Sequence, residues 1–313
     1  MRDVFTVHLT GGLGNQLFQF AAALSCQDAQ IEIETELGRP RGDHNKRPDL
    51  FAFKLPQNVV IAEHGSKLSF LAGKATGYAL RSAVEPKGME KIKFVCSVSE
   101  FAVSVILYFR TGVFYRISRG FGVGFSRIRK LPKNQYLIGY FQSYKFAAQC
   151  LTKLKSLEPL CIGPELAMLM TISEKEKPLV VHFRLGDYLN EPNFGIPGRE
   201  YYETAIDSTW STGNYKTIWV FSDDIPHAQE IFPKELLRHV RWIDNVDNSP
   251  TATLQAMRFG RGYIIANSTF SWWGAYLSMT ENAPVYAPSP WFKGMGSPED
   301  LLPPHWKIVD SNF

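Results

Sequence analysis

The residues best suited to chemistry lie in the run Lys177-Pro178-Leu179-Val180-Val181-His182-Phe183-Arg184-Leu185-Gly186-Asp187-Tyr188. Three unlike polar groups, His182, Arg184 and Asp187, stand close together in it. A guanidinium that cannot lose its charge, two residues from a ring that can donate or accept, suits a phosphate or carboxylate ligand. Taken alone, the run also fits an Arg–Asp ion pair that caps a strand. A second polar group is Thr10-Gly11-Gly12-Leu13-Gly14-Asn15-Gln16. Gly12 and Gly14 let a backbone turn sharply toward a ligand, and a helix start attracts anions. The amides of Asn15 and Gln16 suit hydroxyl-rich ligands or phosphate oxygens, or Asn15 caps the helix. Two further loops, Ser222-Asp223-Asp224 and Asn267-Ser268-Thr269-Phe270-Ser271, offer carboxylates and hydroxyls. Their plainer readings are an N-cap for the first and core packing for the Trp272-Trp273 that follows the second.

The elements that must position these groups read as strands feeding loops. Four apolar residues run into His182 and a turn follows at Gly186-Asp187, as at the end of a buried strand. Val4 to Leu9 is a strand that enters the glycine loop, and Leu13, Leu17, Phe20 and Leu24 recur at helical spacing behind it. The loop is neither a dinucleotide fingerprint, since Leu17 stands where the third glycine belongs, nor a P-loop, which needs Gly-Lys-Ser/Thr. Residues 31–64 read as polar and turn-rich, 136–143 as a strand, and 145–157 as a helix. Ser173-Glu174-Lys175-Glu176-Lys177-Pro178 reads as a charged connector. Beyond it strand and helix alternate: helix 200–209, strand 217–221, helix 225–232, strand 240–243, helix 251–259 and strand 262–266. Such alternation predicts a doubly wound parallel sheet, with the Arg184, Asp223 and Ser268 loops opening on one edge.

Bulk properties set the frame. A chain of 313 residues exceeds what one core usually serves, and the division predicted is 1–165 and 166–313. Hydrophobic content of 45%, charged content of 20% and a net charge of +4 describe a globular protein and do not demand nucleic acid. Cys26, Cys96, Cys150 and Cys161 form no CxxC pair, so buried free thiols are expected and no metal site is. No secretory signal opens the sequence, and the apolar run from Phe94 to Phe109 falls short of a membrane span, so a cytoplasmic location is expected. Between Arg110 and Lys133 basic residues mix with aromatic ones and no acid occurs. Such a surface suits either an anionic membrane face or an anionic ligand.

Taken together, Gly11 to Gln19, His182 to Tyr188, Phe221 to Asp224 and Ile265 to Ala275 resemble the α-1,2-fucosyltransferases of glycosyltransferase family 11. Gly139-Tyr140-Phe141-Gln142-Ser143 and Ala287 to Phe292 look like further members of the set. The resemblance runs in order over residues 7–293, with 65–135 uninformative. It implies a GT-B architecture, two Rossmann-like domains facing a cleft, with GDP-fucose held mainly by the C-terminal one. It implies inverting transfer of fucose, without metal, to the 2-hydroxyl of a galactose in an oligosaccharide or lipid-linked glycan. By position, Arg184 would bind the donor's β-phosphate, His182 would support the nucleotide, and Ser268, Thr269 and Ser271 would bind pyrophosphate oxygens. Asn15 would sit at the point of sugar transfer. For the general base, Asp187 comes first and Glu191 second.

Two positions depart from the family pattern. Leu185 stands where a second arginine is common, and Thr253 where related enzymes carry a guanine-reading aspartate. Either Asp244 or Asp247 substitutes, or the base specificity is relaxed. Alternatives are a fucosyl or other nucleotide-sugar transferase of different linkage, and a non-catalytic nucleotide- or sugar-binding relative.

Overall fold

A computed structural model of the chain describes residues 4–7, 9–26, 29–34, 47–62, 105, 108–109, 112, 114–117, 135–186, 188, 194–293 and 300–313. The chain divides into two compact units, one of Met1–Glu158 with Pro298–Leu302, the other of Pro159–Ser297 with Pro303–Phe313.

In the first unit, strand β1 (Val4–Val7) leads through the glycine loop into helix α1 (Leu13–Leu24). β1 is joined by β2 (Gln30–Glu34), β3 (Val59–Ala62), β4 (Phe114–Ile117) and β5 (Gln135–Ile138) in one parallel sheet of order β3-β2-β1-β5-β4. Strands β2 and β3 correct the reading of 31–64 as turn-rich. Gln30-Ile31-Glu32-Ile33-Glu34 alternates with period two, and burial of Ile31 and Ile33 outweighs the polar composition. The single helix expected over 145–157 is two, α2 (Tyr144–Gln149) and α3 (Leu151–Lys155), broken where Cys150 leaves helical geometry at φ −133° and ψ 23°. The short return of Pro298–Leu302 is anchored here by the 2.6 Å ion pair of Lys145 with Asp300 and by the Tyr144 amide donating to the Asp300 carbonyl.

The second unit opens with helix α4 (Pro164–Glu176), so the boundary expected at 165/166 would fall inside a helix. The supposed charged connector is the last turn of α4: Leu166, Leu169 and Ser173 supply its buried side, and Lys177 ends it in the left-handed region just before Pro178. Then follow β6 (Leu179–Phe183), α5 (Arg199–Trp210), β7 (Ile218–Ser222), α6 (Ile225–Ile231), β8 (Val240–Ile243), α7 (Pro250–Met257), β9 (Gly262–Ile264), α8 (Thr269–Tyr276), β10 (Val285–Ser289) and β11 (Lys307–Asp310). All six strands are parallel, in the order β11-β10-β9-β6-β7-β8. This is the doubly wound order, and β6 and β7 are buried at every residue, which explains their unbroken apolar runs.

Strand order reverses between β6 and β9 in the second sheet and between β1 and β5 in the first. Ligands bind at such reversal points, at the carboxyl ends of the strands. The ends of those four strands and the segments that follow them carry His182 and Arg184, Asn267 and Ser268, Gly12 and Asn15, and Gly139 to Ser143.

Among the described residues no helix is long and apolar enough to cross a membrane. Cys26 and Cys150 are buried free thiols as expected, and burial pushes the Cys150 thiol up to about 12. Cys161 is exposed, contrary to expectation, because it lies in the connection before α4. Cys96 lies outside the described residues, as does the basic segment 110–133 apart from Gly112 and β4.

Candidate active site

In the second unit the register of β6 against β7 sets the geometry. Phe183 pairs with Ser222, so the next residues, Arg184 and Asp223, emerge side by side. Arg184 Nη1 lies 3.1 Å from Asp223 Oδ2. The same carboxylate accepts from the amides of Leu185 at 2.8 Å and Gly186 at 3.2 Å. A Cβ at residue 186 would stand 3.0 Å from Asp223 Oδ2, so Gly186 permits this close wrapping. The guanidinium also lies over the Tyr188 ring, 5.8 Å from its centroid, and the Tyr188 hydroxyl donates to the Asn267 carbonyl at 3.2 Å. Arg184 therefore keeps its place while its side chain stays one-third exposed at the strand end.

His182 is buried one turn of the pleat earlier, and Phe270 lies 6.3 Å from it, centroid to centroid. Burial pushes its imidazole down to about 3, and the Arg184 guanidinium adds to the effect while Asp223 opposes it. It is neutral across the physiological range. His182 Nδ1 and Asn267 Oδ1 are buried polar atoms that find no hydrogen-bond partner among the described residues. His182 lies in β6 and Asn267 in the loop that leaves the neighbouring β9, where the strand order reverses. A buried polar atom left unbonded costs about 1–3 kcal/mol, which a ligand or water hydrogen bond would recover.

The remaining polar groups mostly serve the scaffold. Ser222 bonds to the amide and carbonyl of Asp224, and Asp224 caps α6 by accepting from the His227 amide at 3.1 Å. Asn267 Nδ2 lies 3.1 Å from the carbonyls of Phe194, Gly195 and Trp291, tying three loops together. Ser268 is the N-cap of α8 and accepts from the Phe270 amide, while Thr269 begins the helix, half-buried. Ser271 is buried, and its hydroxyl reaches the Ser268 carbonyl at 3.3 Å, which engages its one proton. Trp272 and Trp273 are core residues, as the plainer reading had them.

The two departures have structural explanations. Leu185 is fully buried in the core with Val181, Phe183 and Tyr202, so a second guanidinium at this position would lose its water. Thr253 sits in α7 with its hydroxyl oxygen accepting from the Val246 amide at 2.9 Å and facing the Ser249 carbonyl at 3.0 Å. Of its proposed substitutes, Asp247 is engaged: its carboxylate accepts from the Glu165 and Leu166 amides at the start of α4, both at 3.0 Å. Asp244 is exposed directly after β8.

In the first unit Gly12 is the N-cap of α1, extended at φ −72° and ψ 175°, so Asn15 is not the cap. Asn15 lies in the first turn, and its Oδ1 accepts from Gln142 Nε2 at 2.8 Å. Gly14 is buried under that turn. Gln16, expected to offer its amide to a ligand, is instead fully buried and holds the loop together with Gln19, which sequence reasoning left unassigned. Gln16 donates to the Gly11 carbonyl and accepts from the Leu50 amide. Gln19 accepts from the Thr10 amide and donates to Thr10 Oγ1 and the Gly139 carbonyl, joining the exits of β1 and β5. Their i and i+3 spacing on α1 was a visible signal that both face one side. Asp187 and Glu191 lie outside the described residues.

Comparison with known proteins follows the same lines. Residues 114–306 match the model of Glycosyl transferase family 11. The O-antigen biosynthesis glycosyltransferase WbnK of Escherichia coli is 26% identical over 91% of this chain and 94% of its own. An α-1,2-colitosyltransferase of Escherichia coli is 30% identical over 50% of this chain and 56% of its own. Among solved structures, POFUT1 in complex with GDP aligns with a TM-score of 0.50 at 11% identity, over 91% of this chain and 98% of that one. The likeness to POFUT1 supports the GT-B class for the two parallel-sheet units.

Proposed function

This chain belongs to glycosyl transferase family 11, and we propose that it is an inverting α-1,2-fucosyltransferase. In this reading it moves L-fucose from GDP-fucose to the 2-hydroxyl of a galactose in a surface glycan and uses no metal. One observation carries the reading: a cation, Arg184, is held by Asp223 at the carboxyl end of β6 and lies over Tyr188, whose hydroxyl bonds the Asn267 carbonyl just before α8. The reaction needs such a group. The acceptor oxygen bonds to C1 of fucose, the bond from C1 to the diphosphate oxygen breaks, and the electron pair leaves with GDP. Arg184 meets the charge that grows on the departing diphosphate, and preorganised donors are worth most where charge develops. Ser268, Thr269 and the first amides of α8 bind the phosphates as dipoles. Neutral His182, with Nδ1 unbonded among the described residues, supplies a hydrogen bond without charge. Asp187 takes the acceptor proton, with Glu191 as the second candidate, and Asn15 hydrogen-bonds the transferred sugar or its acceptor.

A second reading changes only the donor sugar, and the relative named as an α-1,2-colitosyltransferase favours it. For a lipid-linked acceptor, the basic segment Arg110 to Lys133 is assigned to anionic headgroups at a membrane surface. Vesicle co-sedimentation unchanged by neutralising that segment rejects the assignment.

The deciding measurement is GDP release from GDP-fucose and from a nucleotide-activated colitose, across a panel of galactosides, with and without chelator. The expected result is turnover of GDP-fucose, retained in chelator, with an α-1,2 product by linkage analysis. Arg184→Ala should lower kcat by about 10²-fold or more. Binding of GDP with no turnover on any acceptor would mark a non-catalytic relative, and loss of activity in chelator would reject the metal-free mechanism.

A further inference from the structure

Gln142 has no role in the mechanism above, yet three features converge on it. It follows β5 at the point where the strand order of the first sheet reverses, beside the glycine loop that follows β1. It is 7% exposed, and its Nε2 donates to Asn15 Oδ1 at 2.8 Å. The residue before it, Phe141, is held at φ +53°, a conformation that costs a non-glycine residue on the order of 1 kcal/mol. That backbone turn lets Phe141 enter the core against Phe146 while its neighbour meets Asn15.

A primary amide has one acceptor end and one donor end, and rotation by half a turn exchanges them. Donation from Gln142 fixes the acceptor end of Asn15. The donor end, Nδ2, is then directed over Gly11: a Cβ built on residue 11 would lie 2.6 Å from it. The glycine at 11, with φ +74°, leaves room for this orientation.

We propose that Gln142 is a positioning residue that sets the orientation of the Asn15 amide, so that Asn15 acts on the reacting sugar as an N–H donor. This rests on the assignment of Asn15 to sugar transfer made above. A carboxylate in place of Gln142 would accept from Asn15 Nδ2 instead of donating to Oδ1, and would therefore invert the amide with no change of side-chain volume. Protonation of that carboxyl would restore a donor and, with it, the original orientation.

The test uses the full chain with GDP-fucose and its best galactoside, comparing Gln142→Glu, Gln142→Leu, Asn15→Ala and the Asn15→Ala/Gln142→Glu double variant. The expected result for Gln142→Glu at pH 8 is a fall in kcat of about 10-fold or more, the equivalent of one hydrogen bond in the transition state. Donor KM and Tm should stay near wild type. The deficit should shrink as pH falls toward the carboxyl range, and Asn15→Ala should abolish any further effect of Gln142→Glu. Wild-type kcat in Gln142→Glu while Asn15→Ala is impaired would overturn the proposal alone. Wild-type kcat in Asn15→Ala would overturn both the proposal and the role given to Asn15. A pH-independent deficit in Gln142→Glu, matched by Gln142→Leu and accompanied by a lowered Tm, would make Gln142 structural and would also overturn it.

Discussion

Asp223 does not only pair with Arg184 at 3.1 Å; its two oxygens also hold the amides of Leu185 and Gly186, so one carboxylate fixes both the cation and the backbone that carries it. The ion pair itself is partly exposed, with the side chains 33% and 25% accessible, and an exposed pair contributes little to stability. Its weight lies in preorganisation. Asp223→Asn keeps a single acceptor oxygen and can satisfy one amide, whereas Asp223→Ala satisfies neither. The expected order of kcat is wild type, then Asn, then Ala, with Ala about 10–100-fold down, while Tm changes by only a few degrees. Steady-state kinetics beside thermal melts check this. Loss of Tm without loss of kcat would make Asp223 a scaffold residue only.

His182 makes stability depend on pH with a definite sign. Its folded pKa is lowered to about 3, chiefly by burial, so the unfolded chain binds its proton first as pH falls below the ordinary histidine value of ~6.5. The folded state is favoured in full above ~6.5 and loses that advantage between ~6.5 and ~3, at up to about 1.4 kcal/mol per pH unit. Urea unfolding from pH 7.5 to pH 5 should therefore show a shallower pH dependence in His182→Gln than in wild type, by close to one proton. Parallel curves would mean that His182 is solvated in the folded protein.

Leu185 marks where the family motif meets the core. Its side chain lies in the core with Phe183, Tyr201 and Tyr202, and among the described residues the carboxylate at this strand end, Asp223, is already engaged by Arg184 and by the Leu185 and Gly186 amides. Restoring a second arginine by Leu185→Arg should cost several kcal/mol, because a buried charge without a partner is among the most damaging substitutions. The measurement is soluble yield and the urea midpoint. A variant of normal stability with raised activity would show that the strand end can open to admit the charge.

Much of this was legible in the sequence, and the reasons are specific. β6 and β7 are apolar at nearly every position because helices cover both faces, so the strands ending at Phe183 and Ser222 stood out, and with them Arg184 and Asp223 as neighbours on one sheet edge. The short outer strands were not legible. β3 has four residues with Val60 well exposed, and β11 pairs along one side only, so neither carries a strong period. The division of labour within the loops was hidden as well. The N-cap reading of Ser222-Asp223-Asp224 is met by Asp224, but that Asp247 caps a distant helix depends on contacts up to 82 residues apart, which composition does not encode. Only Leu185 and Thr253, odd against the family pattern, announced themselves, and both prove to be buried.

Gly11 offers the sharpest test of the glycine loop. Its φ of +74° is strained for any residue with a side chain, and a Cβ would meet Asn15 Nδ2 at 2.6 Å and Asn15 Cβ at 3.3 Å. Gly12, by contrast, is extended, and a Cβ there meets nothing within 4 Å. Gly12→Ala should therefore fold close to normally. Gly11→Ala should lose about 1–2 kcal/mol of stability from the left-handed backbone alone. It should also push Asn15 off Gln142, so that kcat falls by more than the stability loss explains. Comparing the two alanine variants at a temperature where both are fully folded separates strain from displacement. If Gly11→Ala keeps wild-type kcat there, the approach of Asn15 to the loop backbone has no part in sugar transfer.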